Sequence, residues 1–124
     1  MSTTDGILEF LRRDLPKDVW NVVYDGNQPI VITAMQILNR SSGKGMFTIA
    51  FGDNQLEDGH DAIDGNYELR EENLKSVLYS GELDEGEYYY WYPKGGRIVI
   101  SPNTKMAIAI SQVDLEVSIF GAEV

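Results

Sequence analysis

The chain has 124 residues, 43% of them hydrophobic, and no cysteine. That length suits one domain with a real core, and disulfide and thiolate chemistry are excluded. Twenty acidic residues against ten basic ones give a formal charge of −10, a field that repels phosphate backbones and argues against nucleic acid as a partner.

No apolar run approaches the roughly 20 residues that a membrane helix needs. The opening MSTTDGILEFLRRD has no basic start, no long apolar stretch and no small-residue cleavage site. Neither a signal peptide nor membrane contact is expected, and the lack of cysteine is compatible with synthesis in a reducing cytoplasm.

Residues 1–16 read as an N-terminal helical arm. In DGILEFLRRDL (5–15), Ile7, Leu8, Leu11 and Leu15 recur at helical spacing, Thr4 or Asp5 can cap the start, and Pro16 stops the run. A helix this short is marginal alone, so its apolar stripe must dock on its own domain or on a neighbouring subunit.

From Val19 the pattern changes to strands. VWNVVY (19–24) precedes the turn signal DGNQP, and IVITAMQILN (30–39) carries apolar residues on both faces, as a covered central strand does. RSSGKG (40–45) reads as a hairpin connection to MFTIAFG (46–52), which alternates Phe47, Ile49 and Phe51 with Met46, Thr48 and Ala50. The two strands are expected to pair antiparallel.

Residues 53–87 hold twelve acidic residues and two basic ones. The stretch 53–86 is expected to be a long acidic surface excursion, with a helical turn in REENLKSVL. Asp58, Asp61, Asp64, Asn66 and Glu68 are a conceivable oxygen set for calcium, but their spacing does not follow the order of an EF-hand loop. The solvated or partner-facing reading is preferred, and no metal or cofactor is assigned.

The last third is regular again, with EYYYWY, RIVIS, KMAIAIS and LEVSIFGAEV joined by turn-type linkers. Strands so spaced predict an all-β domain, an antiparallel β-sandwich of jelly-roll-like type, spanning 1–124 without a second domain. The aromatic run is the most unusual segment. Strand alternation puts Tyr88, Tyr90 and Tyr92 on one face and Tyr89 and Trp91 on the other. One set enters the core; the other faces solvent, a partner or a sugar.

Catalysis has little to work with. His60 is the one histidine, and no G-x-S-x-G elbow, phosphate loop or dinucleotide fingerprint is present. No catalytic residue is assigned, and a non-enzymatic role is expected.

Residues 19–52 and 86–124 resemble a group of small β-sandwich proteins in tailed-bacteriophage virions. In that group an apolar strand ends in a polar N-x-S/T-G-like turn before a second apolar strand, here QPIVITAMQILNRSSGKGMFTIAFG. A later glycine turn and strands lead to a terminal V-x-x-x-x-G-x-E-[VI], here ending in Gly121, Glu123 and Val124. The resemblance implies a structural virion protein made in the host cytoplasm, most simply a capsid decoration or cement protein acting by protein–protein adhesion. Its expected partners are further copies of itself, as a trimer in many members of the group, and other virion proteins. The interface candidates are Tyr88, Tyr89, Tyr90, Trp91, Tyr92, Ile7, Leu8 and Leu11. The alternatives are a tail- or fibre-associated module that binds a receptor or carbohydrate, and an acidic inhibitor of a basic protein.

Overall fold

A computed structural model describes residues 8–24, 30–100, 104–111 and 113–123. They form nine strands: β1 (Leu8–Leu15), β2 (Trp20–Tyr24), β3 (Ile30–Leu38), β4 (Gly45–Gly52), β5 (Leu74–Leu83), β6 (Tyr88–Trp91), β7 (Ile98–Ile100), β8 (Lys105–Ser111) and β9 (Leu115–Glu123). There is no helix among the described residues. The first sheet has the order β1-β9-β3-β6, with β7 also on β3, and the second has the order β2-β8-β4-β5. All pairings are antiparallel.

The two sheets share one core. Leu15, Val23, Ile32, Phe47, Leu83, Trp91, Ile100, Met106 and Val117 come from the nine strands in turn and belong to a single buried cluster. Each large side chain so buried contributes about 1.5–3 kcal/mol by leaving water. The domain is therefore an antiparallel sandwich.

Three expectations are corrected. Residues 8–15 are a strand and not a helix, running along β9 from Leu8↔Gly121 to Leu15↔Leu115. From Arg12 to Leu15 exposure alternates, with Leu15 fully buried. The helical spacing is overridden because a short isolated helix is marginal, whereas β9 would otherwise present an unpaired edge. Ile7 and both proposed caps lie outside the described residues, and Leu8 and Leu11 are described as backbone in β1.

Second, β3 and β4 do not pair. β3 bonds to β9, β6 and β7, while β4 bonds to β5 and β8, so the connection after Leu38 carries the chain from one sheet to the other. A register shift between Ile32 and Ala34 also re-aims the strand, so Ile30, Ile32, Met35 and Ile37 are the inward residues. Third, the segment expected to contain a helical turn, 70–78, is no helix: its residues from Leu74 onward belong to β5, the edge strand beside β4.

The crossing after β3 is organised by Asn39, which is 0% exposed. Its Nδ2 donates to the carbonyls of Gly43 (2.7 Å) and Leu83 (3.0 Å), and its Oδ1 accepts from Ser41 N–H at 2.9 Å. Its own backbone joins the β5–β6 turn, donating to Glu87 O and accepting from Gly86 N–H. A buried amide with every group satisfied is a strong local constraint, and here it fixes the turn immediately before Tyr88.

Candidate functional site

Period-two alternation settles the aromatic run. In β6, Trp91 is buried and Tyr89 half-buried, both in the common core, while Tyr88 and Tyr90 face outward with Tyr92 following. Tyr89 lies flat on Tyr79 of β5, with ring centroids 4.9 Å apart and planes 7° from parallel. A hydrogen bond between the two phenols, with burial added, raises the Tyr89 pKa. Tyr89 thus ties the first sheet to the second along one side of the sandwich.

Tyr88, Tyr90 and Tyr92 are 59, 42 and 64% exposed. They form a row, Tyr88 meeting Tyr90 edge to face at 5.4 Å and Tyr90 meeting Tyr92 at 6.3 Å with planes 21° apart. Across the sheet, Tyr90 stands opposite Gln36, Gln36 opposite Ser118 and Ser118 opposite Arg12. The next row reads Tyr88, Leu38, Glu116, Asp14. Arg12 Nε donates to Ser118 Oγ at 3.3 Å, and Arg40 pairs with Glu116 at 3.4 Å. This outer face combines aromatic area at one edge with small polar residues and arginines beyond it.

The outer face of the second sheet is different. Residues 53–73 fold back over it as a strap, and Leu56 and Ala62 are buried against Trp20, Ala50 and Ala107 in a second cluster. Backbone bonds hold the strap along β2: Trp20 N–H donates to His60 O (2.7 Å), and Gly59 N–H donates to Trp20 O (2.8 Å). Lys105 Nζ donates to Leu56 O at 2.7 Å. The strap leaves little trace in the sequence, because its buried anchors, Leu56 and Ala62, are few and lie far along the chain from the Trp20 and Ala107 they cover.

The conceivable calcium ligands do not converge. Asp58 Oδ1 accepts Val22 N–H and faces Arg13, while Asp64 Oδ1 accepts the N–H groups of Asn66 and Glu68. Those two backbone bonds, Glu68 first, hold the Asp64 pKa below its ordinary value. His60 is exposed beside Glu57, at 3.5 Å. Among the described residues, no three His, Asp or Glu side chains gather as a metal ligand set would.

A cleft of about 470 Å³ is lined by Arg13, Val22, Tyr24, Asp58 and Lys105. Arg13, Asp58 and Lys105 already bond to backbone there, so it reads as the seam between β1, β2 and the strap. A smaller one of about 210 Å³ lies beside Trp20, His60, Asp61 and Arg70. The buried Arg70 Nε has no hydrogen-bond partner there, but the lining mixes both charges and defines no ligand class.

No protein-family model, curated protein or solved structure matches this chain. The functional reading therefore stands on geometry and on the sequence resemblance.

Proposed function

We propose that this protein is a structural adhesion module, a virion protein of a tailed phage that decorates or cements the capsid by binding other proteins. The observation that carries this reading is the exposed row Tyr88, Tyr90 and Tyr92 along the edge strand β6 and just beyond its end. Tyrosines supply large contact area with few rotors, and interfaces are enriched in them. Tyr88 and Tyr90 meet at 81°, so the row is ridged and offers a poorer shelf for a flat sugar face than for an interlocking protein surface.

The strand order adds support. The path 1-9-3-6 in the five-stranded sheet, facing four strands ordered 2-8-4-5, supports a jelly-roll-like reading, an architecture that viral capsid and lectin domains share. Fold alone does not assign function, which is why the tyrosine row carries the weight.

The test is mass spectrometry of particles from the phage that encodes the chain. A copy number comparable to that of the major shell protein is expected; absence from the particle overturns the reading. Light scattering on the purified chain should show mass rising with concentration. A monomer throughout, with tyrosine spectra that shift on adding a soluble glycan, would instead make it a carbohydrate-binding module.

A further inference from the structure

The two outer faces of the sandwich are unlike in charge. The strap, residues 53–73, carries eight acidic residues and one arginine. The tyrosine face carries Arg12 and Arg40 against Asp14 and Glu116, and the turn after Tyr92 adds the exposed Lys94 and Arg97. The acids Asp84, Glu85 and Glu87 lie at the Tyr88 end, so the cationic approach is from the Tyr92 end.

The strap also presents an aromatic knob. Ile63 and Leu69 bridge to form a short hairpin, and Tyr67 near its tip is 71% exposed, the most exposed large hydrophobic side chain among the described residues. Tyr67 has φ 60°, a left-handed backbone that bulky side chains rarely adopt. Asp64 holds it there, its carbonyl accepting Tyr67 N–H at 3.0 Å while its carboxylate binds the amides on either side. A glycine would be easier to accommodate, so a projecting tyrosine at this position calls for a use.

We infer that the occupant of the tyrosine face is a second copy of this chain, whose acidic strap docks there with Tyr67 entering the row at Tyr90 and Tyr92. The inference rests on the self-association proposed above and specifies its geometry. Knob and row lie on opposite faces, so the contact is head-to-tail and builds a ring or a filament according to whether its rotation closes. The acids of the strap meet Lys94 and Arg97, which sets orientation and makes assembly salt-sensitive. Two of the sheet edges among the described residues are poor competitors for this contact. β5 has register shifts opposite Ile49/Ala50 and Phe51/Gly52 of β4, and β6 and β7 are interrupted by the turn 92–97; both features blunt edge pairing.

The experiment is sedimentation velocity of the full chain, of Tyr67→Gly, of Tyr90→Ala and of the two variants mixed. Tyr67→Gly relieves the left-handed backbone, so its thermal midpoint should hold or rise while association weakens roughly thirtyfold, as for an interface hot spot. Tyr90→Ala should weaken association comparably. The mixture should form dimers and nothing larger, because one variant keeps the row and the other keeps the knob. Raising salt should dissociate the wild type. If the wild type associates and Tyr67→Gly associates equally, the head-to-tail contact is wrong and self-association survives. If both variants are monomeric and their mixture is too, the interface is not knob-to-row. A wild type that never associates removes both readings.

Discussion

Asp58 and Arg13, 3.4 Å apart, hold the outer edge of β2 at a single residue, Val22. Asp58 Oδ1 accepts Val22 N–H at 2.8 Å, and Arg13 Nη1 donates to Val22 C=O at 2.9 Å. This is the bonding that a further strand would supply. Two residues earlier the strap does the same for Trp20 with its own backbone. The β2 edge is therefore closed to foreign strands by a side-chain pair and a loop, beside the register shift between Val22 and Tyr24.

Asp58→Ala removes half of that closure. Both side chains are partly exposed, so the ion pair itself is worth little, and the loss is the hydrogen bond to Val22, about 1 kcal/mol. The clearer readout is hydrogen exchange, where the Val22 amide should lose protection by about tenfold or more while core β9 amides keep theirs. Unchanged protection at Val22 would show that the carboxylate does not hold the edge.

Asn39→Ala leaves Gly43 O, Leu83 O and Ser41 N–H without their partner. Buried groups so orphaned each cost about 1–3 kcal/mol, and water entering the space left by the amide offsets part of this. A loss of roughly 3 kcal/mol in urea unfolding is expected. A loss below about 1 kcal/mol would mean that the turn closes without Asn39.

The sheet class and most strands are legible in the sequence because alternation is strong where one face is buried, as in Phe47, Ile49 and Phe51. β1 is not, because Leu8, Leu11 and Leu15 satisfy a helical spacing as well, and only pairing with β9 decides between them. β5 is hidden for another reason: its two register shifts against β4 break the alternation, and acidic residues surround it. Its true inward anchors include Leu83 and Tyr79. The division of the aromatic run was readable as two faces, but which face turned inward depended on the register of β6 against β3. The strap and its knob were beyond reach, since Ala62 and Leu56 bury themselves on residues distant in sequence.

Gly121→Ala tests the register of the first sheet. A Cβ at Gly121 would overlap the Val31 carbonyl oxygen on β3, and a backbone atom within a ladder cannot step aside as a side-chain end can. The substitution should cost about 2–3 kcal/mol by overpacking. Gly65→Ala is the control, because nothing lies within 4 Å of its Cβ position, and it should change stability by less than about 0.5 kcal/mol. Equal midpoints for the two variants in thermal unfolding would contradict the β3–β9 register.

Acid should loosen the strap tip before it loosens the sandwich. The Asp64 pKa lies below its ordinary value of 3.8, chiefly through the backbone hydrogen bond from Glu68 and next through that from Asn66. A depressed carboxyl pKa means that the ionised form supports the folded hairpin. Its contribution is complete above the ordinary value and is lost as pH falls through the lower, folded one. In an NMR titration the amides of Asn66 and Glu68 should stay fixed from neutral pH down to about pH 5 and move together below 3.8. Asp64→Asn keeps an oxygen that can accept the same bonds but has no proton to gain, so these amides should not titrate in that variant. If they titrate unchanged in Asp64→Asn, another acid controls the tip and the hold on Tyr67 is not the Asp64 carboxylate.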